Sequence, residues 1–468
     1  MFLGGFTALE WLALVEHELL LFAGTFFLIG AIDELAVDAV WAWLKLRRSA
    51  ITGSVRREMF GRWALDGKAA VLIPAWQEAE IIGTTIAHTL RAWPQDGMRL
   101  YVGLYRDDPA TLEAAIRASG GDRRLRLVIN DRAGPTTKAD CLNRLYAALC
   151  EDERRSGEDF RMVVLHDAED MVDPAALKVL EAGLERAEFV QLPVLPEPQS
   201  RSRWIAGHYC DEFAEAHAKA MVVRDALGAA LPAAGVGCAF DRHMLRRLVR
   251  RRGHAAGPFS VECLTEDYEL GMRIKALGGR SRFLRLRGED GRLVATRACF
   301  PARLDYAVRQ KTRWIHGIAL QGWDRLGWSA RPVELWMLMR DRRGPLTAIV
   351  LAAAYLLLVI AALLWAAALA GLGRPWELDP WVEVLLVANF ASFVWRATMR
   401  FAFTARDYGA GEGLRAVLRI PVANIIAIMA GRRALAAYVR TLAGALPQWD
   451  KTAHDAHPAA APPALAPA

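Results

Sequence analysis

Apolar runs of two lengths punctuate this chain. The shorter kind is of strand length: Lys68-Ala-Ala-Val-Leu-Ile-Pro74, Leu100-Tyr-Val-Gly-Leu-Tyr105, Arg124-Leu-Arg-Leu-Val-Ile129 and Phe160-Arg-Met-Val-Val-Leu165. Helical patterns lie between them. One opens at Ala75-Trp-Gln-Glu-Ala-Glu-Ile-Ile and runs to about Arg91, one follows Lys138, and one opens after Pro174, proline being favoured in a first helical turn. Apolar strands alternating with helices predict an α/β fold with a doubly wound, mostly parallel sheet. Each predicted strand ends in polar residues, so these ends share one edge of the sheet, where open α/β folds bind ligands. Past Pro174 the pattern turns helical, over Arg201–Leu227, from Thr265 to about Leu277, and over Arg303–Leu320. Gly235-Val-Gly-Cys-Ala-Phe240 reads as a glycine-rich turn. It lacks the third glycine and the preceding strand of a dinucleotide fingerprint, so no NAD site is expected there.

The longer runs have membrane length. Leu19 to Ile32 carries no charge, with Glu16, Glu18, Asp33, Glu34 and Asp38 around it. A helix from about Trp11 to Leu44 crosses a bilayer with those carboxylates near the interfaces. It has neither a positive amino-terminal region nor a small-residue cleavage site, which predicts an anchor and not a cleaved signal. Leu346–Leu372 and Trp381–Phe401 carry arginines on their outer flanks, Arg340, Arg342 and Arg343 before and Arg396, Arg400 and Arg406 towards the end. The positive-inside rule then places residues after 45, and both ends of this hairpin, in the cytoplasm. Ile420–Ala430 is shorter, lies between arginines, and reads as an interfacial helix in preference to a further span. The expected organisation is an anchor helix over 1–44, a cytoplasmic domain over 45–340, and membrane helices over 341–440 (two spans plus an interfacial helix or third span). A tail over 441–468 follows, disordered after His457.

Composition fits this division. Of 468 residues, 54% are hydrophobic and 24% charged, a mixture suited to a soluble domain joined to membrane helices. The net charge of +7 comes with arginines beside apolar runs, which points to anionic membrane lipids as their partner. No basic stripe interleaved with aromatics suggests nucleic acid. Six cysteines, at 141, 150, 210, 238, 263 and 299, form no CxxC pair and no metal-ligand spacing, and read as reduced cytosolic thiols.

The chemistry centres on Leu165-His-Asp-Ala-Glu-Asp-Met-Val-Asp-Pro174. Strand alternation points Asp167 and Glu169 the same way and turns His166 into the core. Carboxylates held side by side repel unless a cation lies between them, and oxygen ligands suit Mg2+ or Mn2+. An acidic turn capping a helix is the competing reading of the same residues. Thr265-Glu266-Asp267 likewise opens a helix, either as a cap with dipole-favoured acids or as a catalytic group. Gln310, Arg313 and Trp314 share one helix face, and Trp and Arg also serve as membrane-interface anchors.

Five patches recur in a fixed order between the membrane runs: Pro74-Ala-Trp-Gln-Glu78, Asp107-Asp108, Asp167-Ala-Glu169, Thr265-Glu-Asp267 and Gln310-Lys-Thr-Arg-Trp314. The set resembles the family 2 glycosyltransferases of GT-A fold. Among these it is similar to the membrane synthases related to cellulose and hyaluronan synthase, and to the phage adsorption protein B glycosyltransferases. The last likeness adds Gly134-Pro-Thr-Thr-Lys-Ala-Asp-Cys-Leu-Asn143 and Trp449-Asp-Lys-Thr-Ala-His454. The resemblance covers about residues 10–457.

It implies a role for each patch. Ala75 and Glu78, with Asp107 and Asp108, would hold the base and ribose of a nucleotide-sugar donor, and Lys138 its phosphates. Asp167 and Glu169 would hold the diphosphate through Mg2+ or Mn2+. The family more often has aspartate at position 169, and glutamate keeps the charge while adding a methylene. Asp267, with Glu266 beside it, would be the general base. Gln310 and Arg313 would serve the departing diphosphate and the acceptor, with Trp314 under the acceptor sugar and Gly235–Phe240 near it. A hydroxyl attacking opposite the leaving group in one displacement inverts the sugar. The resemblance further implies the bacterial inner membrane, a UDP-sugar donor, and a growing polysaccharide or lipid-linked acceptor. With too few spans for a channel in one chain, a dimer or an outer-membrane export partner would supply the path. Some members answer to cyclic di-GMP through a carboxy-terminal domain, for which no room is expected here. Two rivals stand beside this reading. One is a non-catalytic scaffold of an envelope export system, which has no need of carboxylates at strand ends. The other is a lipid-linked monosaccharide transferase, which generally lacks the Gln310–Trp314 pattern.

Overall fold

The computed structural model describes residues 6–50, 52–253, 257–372, 379–445 and 457–460. The Trp449–His454 motif lies outside the described residues. In chain order, α1 (Ala8–Leu46) precedes the α/β domain, which begins with β1 (Lys68–Pro74), α2 (Ile82–Ala92), β2 (Met98–Leu104), α3 (Pro109–Ser119) and β3 (Leu125–Ile129). It continues with α4 (Lys138–Ser156), β4 (Phe160–Leu165), α5 (Ala176–Gly183) and β5 (Phe189–Gln191). Next come α6 (Gly207–Glu215), which runs through a π-helical turn at Ala216–Ala220 into α7 (Met221–Ala226), and then β6 (Cys238–Asp241), α8 (Arg242–Arg252), α9 (Glu266–Ala276) and β7 (Ser281–Phe283).

The main sheet has seven strands in the order β3-β2-β1-β4-β6-β5-β7. All neighbouring pairs are parallel except those made by β6, which runs antiparallel to β4 and β5. The expected strands over Lys68–Pro74 and Phe160–Leu165 have those limits, because both are continuous apolar runs buried on two faces. Helices cover both sides. Ile82, Ile86 and Leu90 of α2, Ala115 of α3 and Leu177 and Leu180 of α5 pack on one face with Val71, Ile73 and Val102. Leu142, Leu145 and Leu149 of α4, Leu245 of α8 and Ile274 of α9 pack on the other with Leu72, Tyr101 and Val163.

Two expectations change here. The helices expected beyond Pro174 form, over 207–226, Glu266–Ala276 and 304–321, but short strands lie between them. β5 and β7 have three residues each, too short to carry a period, and the second half of the glycine-rich turn is β6. The tail after His457 is ordered at Pro458–Ala460, a single 3-10 turn, where His457 Nε2 lies 3.3 Å from the Asp170 carbonyl.

After the sheet come α10 (Leu304–Trp314), a π-helical stretch at Ile315–Gln321 and α11 (Gly322–Leu326), followed by α12 (Pro332–Arg342). The chain ends in α13 (Gly344–Leu369), α14 (Pro380–Tyr408), α15 (Ala410–Leu418) and α16 (Ile420–Leu442). Among the described residues, α1, α13, α14 and α16 are long and apolar enough to cross a membrane. α16 extends well past the apolar run Ile420–Ala430. Three carboxylates in the second half of α1 are ion-paired. Asp33 and Glu34 meet Arg340 and Arg343, and Asp38 meets Lys219. Pairing of this kind is how charged groups are tolerated at membrane depth.

Candidate active site

One cavity of about 580 Å³ runs along the carboxyl ends of β1 and β4. Ala75, Glu78, Lys138, Asp167, Glu169, Glu266, Asp267, Gln310, Arg313 and Trp314 all line it. The walls between these residues are largely apolar and aromatic, as in most small-molecule sites.

At one end the chain leaves β1 at Pro74, and Ala75 N–H donates to the Gly103 carbonyl at 2.9 Å. Gln77 takes a positive φ of 55°, and its N–H donates to Asp108 Oδ2 at 2.5 Å. Glu78 N–H donates to Thr111 Oγ1 at 2.9 Å. Asp108 also caps α3 by accepting from Thr111 N–H. Asp107 accepts from Gly134 N–H at 3.0 Å. These two aspartates therefore tie loops together, and neither lines the cavity, in contrast to Ala75 and Glu78. The wall beside Glu78 is Trp76 and Tyr105, ring centroids 4.8 Å apart, with Tyr105 hydroxyl 2.6 Å from Thr136 Oγ1. Sequence reasoning assigned no role to these three. Trp76 lies within the first patch, and that was the signal available. Gly134 is needed here, since a Cβ on it would meet the Trp76 ring at 2.3 Å.

In the middle of the cavity, Lys138 starts α4 behind a capping box formed by Thr137 and Asp140. Its ammonium is ion-paired with Asp167. Burial opposes that charge, but Asp167, Glu266 and Asp267 together hold the Lys138 pKa above its ordinary value. Asp167 and Glu169 do face the same cavity, although not through strand alternation. β4 ends at Leu165, and residues 167–170 form a turn. Asp170 builds that turn, its Oδ2 accepting from Asp167 N–H at 2.9 Å and lying 2.8 Å from His166 Nδ1. Both His166 and Asp170 are buried, as the core reading of His166 expects.

Glu266 and Asp267 form the first turn of α9. The Thr265 side chain makes no capping bond, so the capping reading does not describe this turn. Burial, then the neighbouring Asp267, push Glu266 up to about 7. Burial raises Asp267 also, against the pull of Lys138. Such displacement of carboxyl pKa values is characteristic of functional clefts. At the far end, Gln310 is buried, and its Oε1 accepts no hydrogen bond among the described residues. A buried acceptor without a donor is costly and suits a ligand that brings one. Trp314 lies near Tyr209 and Phe213, with ring centroids at 6.0 and 6.3 Å. The π-helical segments after α6 and α10 both reach the cavity, through His217 and Ile318. Such turns recur at functional sites.

A divalent ion fits the donor set. Among the described residues, no three His, Cys, Asp or Glu side chains form a protein-only metal cluster. Mg2+ and Mn2+ are commonly held by one or two carboxylates, with substrate phosphates and water completing the shell, and Asp167 and Glu169 both line the cavity.

Carboxylates and a lysine thus gather at the strand ends of an α/β sheet, beside an aromatic wall, in the crevice where enzymes of this fold class bind their substrates. The model of the family described as "Glycosyltransferase like family 2" matches residues 67–317, more than half of the chain, and the chain belongs to that family. Bacteriophage adsorption protein B of Escherichia coli (strain K12) is 32% identical over 452 residues, covering 91% of this chain and 60% of that protein. Bacteriophage N4 adsorption protein B of Escherichia coli O157:H7 matches to the same extent. The chain thus spans about 60% of the length of these curated relatives. Among solved structures, a mannosyltransferase from Pyrobaculum calidifontis, in complex with GDP-Man and Mn2+, aligns with a TM-score of 0.48 at 18% identity, covering 88% of this chain and 99% of that one. Glucosyl-3-phosphoglycerate synthase from Mycobacterium tuberculosis, with Mn2+, UDP-glucose and phosphoglyceric acid, aligns with a TM-score of 0.31 at 19% identity, over 51% and 74% of the two chains.

Proposed function

We propose that this glycosyltransferase is an inverting enzyme of the bacterial inner membrane, its catalytic domain facing the cytoplasm. Its donor is a nucleoside-diphosphate sugar, probed first as UDP-sugars, and its acceptor a growing surface polysaccharide or a lipid-linked saccharide. The observation that carries the reading is the convergence of Lys138, Asp167, Glu266 and Asp267 in one cavity, with Glu78 at one end and Gln310 and Trp314 at the other.

Each group has a task. The acceptor hydroxyl attacks the anomeric carbon and gives its proton to an Asp267 oxygen, while the bond from that carbon to the diphosphate oxygen breaks. Charge grows on the diphosphate, and Lys138 and Arg313, which both line the cavity, would hold it. A divalent ion held by Asp167 and Glu169 would supply Lewis-acid neutralisation of the same charge. Glu78 and the Trp76–Tyr105 wall are left for the nucleoside, with Asp107 and Asp108 shaping the loops that carry them. Trp314 offers a flat apolar face to the acceptor sugar.

The membrane arrangement follows from charge and contact. Lys45 in the last turn of α1 and Arg47 after it, and Arg340 and Arg343 before α13, support a cytoplasmic catalytic domain. We read α16 as interfacial despite its length, because it meets the catalytic domain near its start, middle and end while other residues pack on α13. Arg419 at its start pairs with Asp211, Thr312 hydroxyl reaches the Ala430 carbonyl at 3.4 Å, and Tyr438 hydroxyl donates to Asp324 at 2.9 Å. That leaves α1, α13 and α14 as spans.

The test is donor turnover by purified protein in detergent with Mn2+ or Mg2+, offered a panel of UDP- and GDP-sugars. Release of nucleoside diphosphate from one donor, abolished by Asp267→Asn and by chelation, is the expected result. No release from any donor, together with no measurable nucleotide binding, would leave the scaffold reading standing instead.

A further inference from the structure

We infer that Asp341 is a positioning residue for Asp267, and that α12 thereby ties the catalytic base to the membrane helices. The inference rests on Asp267 being the base. Asp341 accepts two hydrogen bonds from the Arg224 guanidinium, at 2.6 and 2.8 Å, and a third from the Tyr268 hydroxyl at 2.9 Å. A forked arginine–carboxylate pair fixes orientation as well as distance. Tyr268 follows Asp267 in the chain, and its N–H donates to Asp267 Oδ1 at 2.8 Å. The ring anchored on Asp341 therefore sets the amide that holds the Asp267 carboxylate. Burial, then Asp341, keep the Tyr268 hydroxyl above its ordinary pKa, so it stays a donor.

The same helix grips the domain and the membrane anchor from different faces. Glu334, two turns before Asp341, accepts from Ala230 N–H at 3.1 Å, and Arg224 donates to the carbonyl of that same Ala230. One turn apart on another face, Trp336 Nε1–H donates to Asp33 of α1 at 2.6 Å, and Arg340 is ion-paired with Asp33 and Glu34. α12 then passes through Arg343 into the membrane helix α13. Ion pairs from α1 to Arg340, the helix backbone from Arg340 to Asp341, and hydrogen bonds from Asp341 through Tyr268 thus join α1 to Asp267. None of the three touches the reacting atoms in the proposed mechanism.

The experiment uses the full chain in lipid nanodiscs, with Tyr268→Phe, Asp341→Asn and the double variant. With the donor identified above, kcat falls by on the order of tenfold in each single variant, the size expected for a misplaced group. The donor KM changes by less than about twofold, since nucleotide contacts are elsewhere. The double variant is no slower than Asp341→Asn, because both changes cut one connection. Unchanged kcat in Tyr268→Phe, or fully additive losses, would overturn the inference. If the wild type turns over no donor, the transferase reading fails on its own. Amide hydrogen exchange across residues 266–270 then decides this link: faster exchange in both variants supports it and unchanged exchange refutes it.

Discussion

Gly235 and Asp267 stand so close that a Cβ on Gly235 would lie 2.3 Å from Asp267 Oδ2. Gly235 also has φ +76°, where a side chain is strained. The glycine-rich turn therefore walls one side of the proposed base's carboxylate. Gly235→Ala is expected to lower kcat by on the order of a hundredfold, the cost of moving a catalytic group by about an ångström. Nucleotide affinity, measured by calorimetry, should hardly change, because Glu78 and Lys138 are on other elements.

The pH profile follows from the acidic pair. Glu266 is pushed up to about 7 and Asp267 is also raised, both chiefly by burial. A base must be ionised, so kcat should fall as the pair takes up protons on the acid side, in two macroscopic steps that belong to both carboxyls and lie above the ordinary carboxylate range. Stability runs the opposite way. A carboxyl raised in the folded state binds its proton more tightly there, so this stabilisation is full below the ordinary value of 4.5 and is lost as pH rises towards about 7. A kcat profile flat from pH 5 to 8 would contradict the assignment.

Removal of the divalent ion by EDTA should stop turnover, and excess Mn2+ should restore it. Asp167→Asn should lose on the order of a hundredfold or more in kcat even with Mn2+ present, because both the ion and Lys138 lose their carboxylate. Initial-rate assays over a Mn2+ titration separate the two effects.

Arg419 and Asp211 are both fully buried, paired at 2.6 Å, and join α16 to the catalytic domain. Removing one partner of a buried pair strands the other charge. Arg419→Met should cost about 3–5 kcal/mol, read as a lower unfolding midpoint in detergent. Arg400, 3.3 Å from Asp211, places the result towards the lower end of that range. Asp211→Asn in the same background should recover part of the loss.

Much of this site was legible before any coordinates. The runs at Lys68–Pro74 and Phe160–Leu165 had to be central strands, since nothing else buries such runs on both faces, and that places Glu78 and Asp167 at one edge. Helical spacing put Gln310, Arg313 and Trp314 on one helix face, and the family resemblance implied their place in a site. Asp107 and Asp108 show where this reasoning thins. An aspartate pair at a strand end looks the same whether it meets a ligand or ties a loop, and only the position of Gln77 N–H makes Asp108 a tie. β5 and β7 were invisible because three residues hold no period, and their strand character comes from the neighbours they pair with.

The sequence by itself thus determined the alternation of strand and helix, the apolar helices, and the kinds of side chain that chemistry at the strand ends requires, because each depends on patterns within a few residues. Only the tertiary structure decided which of those side chains share a cavity. Lys138, Asp167 and Asp267 come from three separate elements and meet because β4 lies beside β1 and α9 packs against the same face as α4. The tie from α1 through Arg340 and Asp341 to Tyr268 was likewise beyond sequence reading, since ion pairs between residues about 300 positions apart leave no local trace.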